Sequence, residues 1–282
     1  MHKQKIIDFA KAKDADLVGF ASVKCWEEGQ IARDFWPHTL WEPCKTVIVL
    51  GMGMILPIVE TTPSVLHMEL YKTVNQKLDA LAYDLTRYLI SGGIPAFYYV
   101  RDGYSTMKAI EEKTMAAFGH VPAALYAGLG SIGFNNCLLT SEFGPRVRLV
   151  SVFAAEEFEE EEKKEKDLCI RCGYCAKCCP VEAIEISEDK KSAVYDKQRC
   201  LAQSIKLTKE RHYPCGICTK VCPVGEDRKL YDKPGIFKKY LQEHDVLREN
   251  PEDSRYTDWE HLRRYGVTEE SYRSIHKWER DK

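Results

Sequence analysis

Long apolar runs are missing from this chain. No stretch of about 18 or more apolar residues occurs in its 282 positions, so no membrane-spanning helix is expected. A bias of charge is missing too. Against 41 Lys and Arg stand 43 Asp and Glu, a formal net charge of -2. That balance removes any long-range pull toward nucleic acid or an anionic membrane and leaves only the option of a local basic patch. The opening, Met1-His2-Lys3-Gln4-Lys5-Ile6-Ile7-Asp8, has no apolar run of signal-peptide length and no twin arginine ahead of one. A cytoplasmic protein in a reducing compartment is therefore the expectation. With 44% hydrophobic residues the chain has material for a full globular core.

Cysteine, by contrast, is abundant and concentrated. Nine of the 12 cysteines lie between residues 169 and 222. Cys169, Cys172, Cys175 and Cys179, followed by Pro180, spell C-x2-C-x2-C-x3-C-P. Cys215, Cys218 and Cys222, followed by Pro223, repeat its second half, with Cys200 upstream in place of the missing first cysteine. A cubane cluster needs thiolates at four corners, and a loop with cysteines every third residue supplies three of them. In the bacterial two-cluster arrangement, the cysteine before each proline ligates the other motif's cluster. Applied here, Cys169, Cys172 and Cys175 take Cys222, while Cys200, Cys215 and Cys218 take Cys179. Two [4Fe-4S] clusters then use eight cysteines and leave Cys178 spare. Zinc ribbons pair well-separated cysteines and need neither a third at this spacing nor a following proline. Disulfides require an oxidising compartment that nothing else in the sequence suggests.

Helical and strand patterns alternate ahead of the cysteines. Ile6, Phe9 and Ala10 recur at helical spacing before the apolar run Leu17 to Ala21, a buried strand. Thr46 to Leu50 is a second strand, expected to deliver a loop at Gly51-Met52-Gly53. Those two glycines are too few for a dinucleotide fingerprint. Leu70, Val74, Leu78, Leu81, Leu85 and Leu89 mark a long amphipathic helix ending at Gly92-Gly93. Ala96 to Val100 reads as a strand and Ser105 as the cap of a helix through Phe118, with Gly119 as its stop. These alternations predict a layered α/β core over residues 1–155. Gly128, Gly130 and Gly133 then allow backbone to approach something closely. A turn of this kind suits a large planar cofactor with amide or phosphate substituents. Arg146 to Phe153 alternates like a strand with one solvated or ligand-facing side. Residues 156–167 are nearly all charged and read as a solvated linker. Residues 168–228 form the cluster unit, with a small hairpin from Ala183 to Ile186 and Ser192 to Tyr195. Residues 229–282 form a tail whose Ile236, Phe237, Tyr240, Leu241 and Trp259 are expected to anchor it back on the core.

The order of these features resembles the epoxyqueuosine reductase and reductive dehalogenase superfamily over most of residues 5 to 225. The resemblance rests on DADLVGFA, TVIVLGMGM, AGLGSIGFNNCLLTSEFGPRVRL and the paired cluster motifs with the distant Cys200. It implies a nitroreductase-like core that binds cobalamin, through Gly128, Gly130, Gly133, Asn135 and Asn136, and a ferredoxin-like unit that feeds it electrons. No D-x-H-x-x-G occurs, so cobalamin is expected without a protein imidazole on cobalt. The chain departs from the family at residues 113–127, KTMAAFGHVPAALYA, which hold no carboxylate. Phe134 also stands where a polar residue is usual, and tRNA-handling helical repeats do not follow the clusters.

The sequence candidates for the proton donor are His120 and Tyr104, with Tyr126 or Asp102 as weaker options. The expected activity is reduction of a small molecule, or of a partner corrinoid protein, with electrons from a low-potential donor such as ferredoxin or flavodoxin; tRNA is not expected as substrate. Alternatives are a pure electron-transfer protein and a core that holds flavin in place of cobalamin.

Overall fold

A computed structural model describes residues 2–29, 31–101, 107–112, 116–158, 167–209, 211–230 and 234–250. Along the chain come α1 (Lys3–Lys11), β1 (Leu17–Ser22), β2 (Thr46–Gly53), α2 (Val65–Ser91), β3 (Ala96–Tyr99) and α3 (His120–Tyr126). The two-residue strands β4 (Ser131–Ile132) and β5 (Leu138–Leu139) follow, then β6 (Val147–Ala154), β7 (Ile184–Ile186), β8 (Ala193–Tyr195), α4 (Lys197–Lys209) and α5 (Ile236–Glu249). The main sheet has the order β1-β2-β6-β3, every neighbour antiparallel. In register, Gly19 faces Val49, Val49 faces Ser151, and Phe97 faces Phe153.

Alternation along the two central strands sends side chains to opposite faces. Ile48, Leu50, Met52, Val150 and Val152 pack against Ile6 of α1 and the leucine stripe of α2. Val47, Val49, Leu149 and Phe153 pack against Trp26, Phe118 and the alanines Ala123 and Ala124 of α3. Each fully buried leucine or valine contributes about 1.5–3 kcal/mol, so both faces of the sheet are held chiefly by this burial.

The long helix follows the leucine spacing. Ser64 caps it, its hydroxyl accepting from the His67 amide at 3.0 Å, and Gly92 closes it with its own N–H to Tyr88 and Leu89. Four expectations change. The strand beginning at Thr46 runs on through Gly53, because the glycines pair with Leu149 and Val147 of β6 rather than forming a loop. The segment expected as one helix through Phe118 is helical only over Met107–Glu112 among the described residues, and Phe118 is a core side chain beyond it. Gly119 caps the start of α3 rather than stopping the preceding helix. The strand from Arg146 is buried almost throughout, without a solvated side. Ser105 lies outside the described residues, as do most of the charged linker and the tail anchor Trp259.

Candidate metal centre

Two short loops carry the cysteine motifs, and they share one local design. Cys172-Gly173-Tyr174-Cys175 and Cys215-Gly216-Ile217-Cys218 each turn on a glycine in the left-handed region, φ 77° and 66°. Each then begins a one-turn helix, Tyr174–Lys177 and Ile217–Lys220. A side chain at either glycine would be strained by φ alone. At Gly216 a Cβ would also press on the His67 ring, 2.7 Å from its Cε1. Cys200, distant in sequence, reaches the centre on α4.

None of the twelve cysteines is in a disulfide. Burial pushes the Cys175 thiol up to about 12, reinforced by Cys218, Cys222 and Cys172. Burial likewise carries Cys222 to about 11, opposed by the Val224 amide and Arg146 and reinforced by Cys172 and Cys169. Cys215 is raised by burial and then by Cys218, Cys200 and Cys179. Cys200 is raised by burial and by Cys218 and Cys179, while a hydrogen bond from Tyr195 lowers it. The thiols that act on one another thus group as Cys169, Cys172, Cys175, Cys222 and as Cys179, Cys200, Cys215, Cys218, with Cys175 and Cys218 linking the sets and Cys137 acting on Cys218.

Four mutually repelling thiols in a buried place do not ionise together on their own. Cationic iron at their centre removes the penalty and releases the protons. Cys169, Cys172, Cys175 and Cys222 line a shared depression together with Gly133, Phe134 and Asn135. Among the described residues no three His, Cys, Asp or Glu side chains converge closely enough to hold a single metal ion. The donor chemistry of four thiols around one depression fits a cluster. Cys178 is buried beside Lys220, Glu243 and Asp245 and is raised to about 11, chiefly by burial, with no cysteine among its electrostatic neighbours.

The core grips these loops at several points. The Thr62 hydroxyl donates to the Cys215 carbonyl at 2.5 Å and lies 3.0 Å from Nδ1 of the buried His67. Burial drives His67 down to about 4, so this ring is neutral. Glu60 accepts from Arg228 at 2.7 Å and from the Tyr240 hydroxyl at 2.6 Å, which ties β2's following turn to the cluster unit and α5 at once. Arg146, fully buried, reaches Asp227 and three carbonyls of the segment around Cys222.

The residues expected to hold a cofactor do not converge on one opening. Gly128, φ 71°, lines an opening beside β1 together with Lys3, Phe20 and Tyr126. Gly133 and Asn135 line the other, against the first cysteine set. The close approach that Gly130 permits is to this chain itself, since a Cβ there would strike the Leu139 carbonyl. Asn135 donates to the Cys218 carbonyl at 3.4 Å and accepts from the Cys137 amide at 3.3 Å, and Asn136 supplies the left-handed corner of the β4–β5 hairpin. Gly128, Gly130 and Gly133 are spaced G-x-G-x-x-G, yet a hairpin follows them rather than a helix N-terminus, the element a pyrophosphate would need.

His120 begins α3 with Nδ1 2.9 Å from the Ser151 hydroxyl and Nε2 3.2 Å from the Val100 carbonyl, packed on Phe118. Both ring nitrogens have partners, as in a histidine that serves packing. Tyr104 and Asp102 lie outside the described residues. Sequence reading passed over Arg146 as a mere strand position, and Cys137 because it stands outside the motifs. A hydrogen bond with Cys137 is the first cause of the raised Cys218 thiol.

A family model described as a 4Fe-4S dicluster domain matches residues 168–226, which hold all eight motif cysteines. A tetrachloroethene reductive dehalogenase of Desulfitobacterium hafniense is 27% identical over 199 residues, 70% of this chain and 33% of that protein. The chain thus spans about a third of the length of that curated relative. A reductive dehalogenase whose structure suggested a mechanism for B12-dependent dehalogenation superposes with a TM-score of 0.58 at 18% identity, over 86% of this chain and 36% of its own. An epoxyqueuosine reductase bound to an epoxyqueuosine-modified tRNA-Tyr stem loop superposes with a TM-score of 0.54 at 16% identity, over 90% and 81%. The fold is the one reductive dehalogenases and epoxyqueuosine reductases share. The end of the glycine-rich stretch, Gly133 to Asn135, lines the same opening as Cys169, Cys172, Cys175 and Cys222.

Proposed function

We propose that this chain is an iron–sulfur reductase that carries two [4Fe-4S] clusters, one on Cys169, Cys172, Cys175 and Cys222 and one on Cys179, Cys200, Cys215 and Cys218. The observation that supports this most directly is the division of the buried thiols into two sets that cross between the motifs, inside the segment matched by the dicluster model. The clusters hand electrons to an acceptor on or against the α/β core, and cobalamin is the acceptor class that the B12-dependent relative suggests. When bound, cobalamin supplies a cobalt centre that takes up electrons only from a low-potential donor, the kind of donor such clusters are. Of the five glycine and asparagine residues, Gly128 lines one opening and Gly133 and Asn135 the other, so they would hold a corrin only with further residues of the core. The chain's own contribution is to shield the first cysteine set from water with Phe134 and to hold the thiols in place through Thr62, Glu60 and Arg146.

Anaerobic protein is expected to contain about eight iron and eight acid-labile sulfide per chain. Iron near four, or stoichiometric zinc, would count against two clusters. Electron paramagnetic resonance after adding cob(II)alamin tests the acceptor, with a base-off signal free of axial nitrogen splitting as the expected result. A second reading, electron delivery to a corrinoid held by a partner protein, is favoured by the split of the glycine-rich residues between two openings. Absence of cobalamin binding with eight iron present selects it.

A further inference from the structure

Arg146 is 0% exposed and uses all five of its N–H groups. Nε donates to Asp227 Oδ2 at 2.7 Å, and Nη2 to Asp227 Oδ1 at 2.7 Å and the Val224 carbonyl at 2.5 Å. Nη1 donates to the carbonyls of Cys222 at 3.0 Å and Thr219 at 3.2 Å. The surrounding backbone is shaped to this fork. A Cβ on Gly144, φ 52°, would strike the Val224 carbonyl, and one on Gly225, φ 121°, would lie 2.6 Å from Nη2. Two backbone bonds run alongside, from the Glu226 amide to Ser141 and from the Asp227 amide to Glu142, each 2.9 Å.

A buried ion pair is poor support for stability, because desolvating both charges offsets their attraction. What a planar five-donor fork does provide is geometry, since it holds several acceptors at fixed angles at once. Here three of those acceptors are carbonyls of residues 219, 222 and 224, the backbone that carries Cys222 across to the thiols of the other motif. The pair also sets local charge. Arg146 bonds the Cys222 carbonyl directly, whereas the Cys215 and Cys218 carbonyls accept from Thr62 and Asn135.

We propose that Arg146, with Asp227, is the positioning residue that locks the crossing ligand Cys222 to the core and sets the reduction potential of the cluster on Cys169, Cys172, Cys175 and Cys222, leaving the other cluster unaffected. The proposal rests on the two-cluster reading. Removing the guanidinium leaves the Asp227 carboxylate uncompensated and makes the adjacent cluster harder to reduce. Removing only the carboxylate charge does the reverse, with the three carbonyl contacts intact.

The test is a potentiometric titration of the full chain followed by electron paramagnetic resonance, with iron content measured alongside. Arg146→Gln is expected to lower the reduction equilibrium constant of one cluster about tenfold, 59 mV for one electron. Asp227→Asn, the milder change, shifts the same cluster upward, and the double variant returns it close to the wild-type value. If Arg146→Gln does not fold, the upward shift in Asp227→Asn, confined to one cluster, carries the test. Equal shifts of both clusters, or no shift in Asp227→Asn while the wild type holds eight iron, overturn the proposal. A wild type without two clusters overturns both the proposal and the reading beneath it.

Discussion

Cys178 and Cys179 are adjacent in the chain, yet only one meets other thiols. The Cys178 side chain is 1% exposed and packs with Val221 and Tyr240, near the Lys220–Glu243 pair. Cys179 acts on Cys200, Cys215 and Cys218. Cys178→Ser should therefore leave iron near eight per chain, whereas Cys179→Ser should remove about four, as expected when one cubane loses a ligand. The reverse pattern would mean that the ligand register is displaced by one residue. Cys137→Ser belongs in the same series. Its thiol contacts Cys218 without completing either set of four, so iron near eight is expected there as well. These roles differ in how legible they are. The motif cysteines announce themselves by spacing, since the chemistry demands three thiolates from one turn. Cys137 and Arg146 carry no local signature, because what defines them is a partner about 80 residues away in sequence.

At the scale of elements, Gly93 after the long helix and Gly130 in the turn at 128–133 separate two physical reasons for having no side chain. Gly93 has φ 83° and nothing within 4 Å of a built Cβ, so alanine there meets only backbone strain, about 1 kcal/mol. Gly130 has ordinary φ, but its Cβ would strike the Leu139 carbonyl of the facing strand. Backbone cannot swing aside as a side chain does, and a forced shift of this kind costs about 3 kcal/mol. Gly130→Ala should accordingly lower the thermal midpoint by more than Gly93→Ala, and the opposite order would show that the hairpin yields easily. The long helix, its Gly92-Gly93 end and most main-sheet strands were readable, because leucine spacing and β-branched runs record which face is buried. The extension of β2 through Gly53, the early end of the helix before Phe118 and the existence of α3 were not. Each depends on a partner elsewhere: Val147 and Leu149 for the glycines, the aromatic cluster for Phe118, and the sheet face for the alanines of α3.

For the whole molecule, the sharpest question is whether a fold shared with a tRNA-bound reductase brings the same substrate with it. Gripping a tRNA stem needs many cationic contacts to phosphate, and affinity then falls steeply with salt. Here 41 basic residues are balanced by 43 acidic ones, and several of the cations are spent internally. Arg146, Lys220 and Arg228 are buried in pairs with Asp227, Glu243 and Glu60. Residues 113–127, where the resemblance leads one to expect a carboxylic acid, contain none. His120, the nearest titratable side chain in that stretch, is held at both ring nitrogens by Ser151 and Val100. The balanced charge and the carboxylate-free stretch 113–127 together give the expectation that tRNA is not the substrate. A strain without its own epoxyqueuosine reductase should remain without queuosine when it expresses this chain, with tRNA nucleosides read by mass spectrometry. Restored queuosine would overturn that expectation and turn the search for a proton donor to Asp102, Glu111 and Glu112.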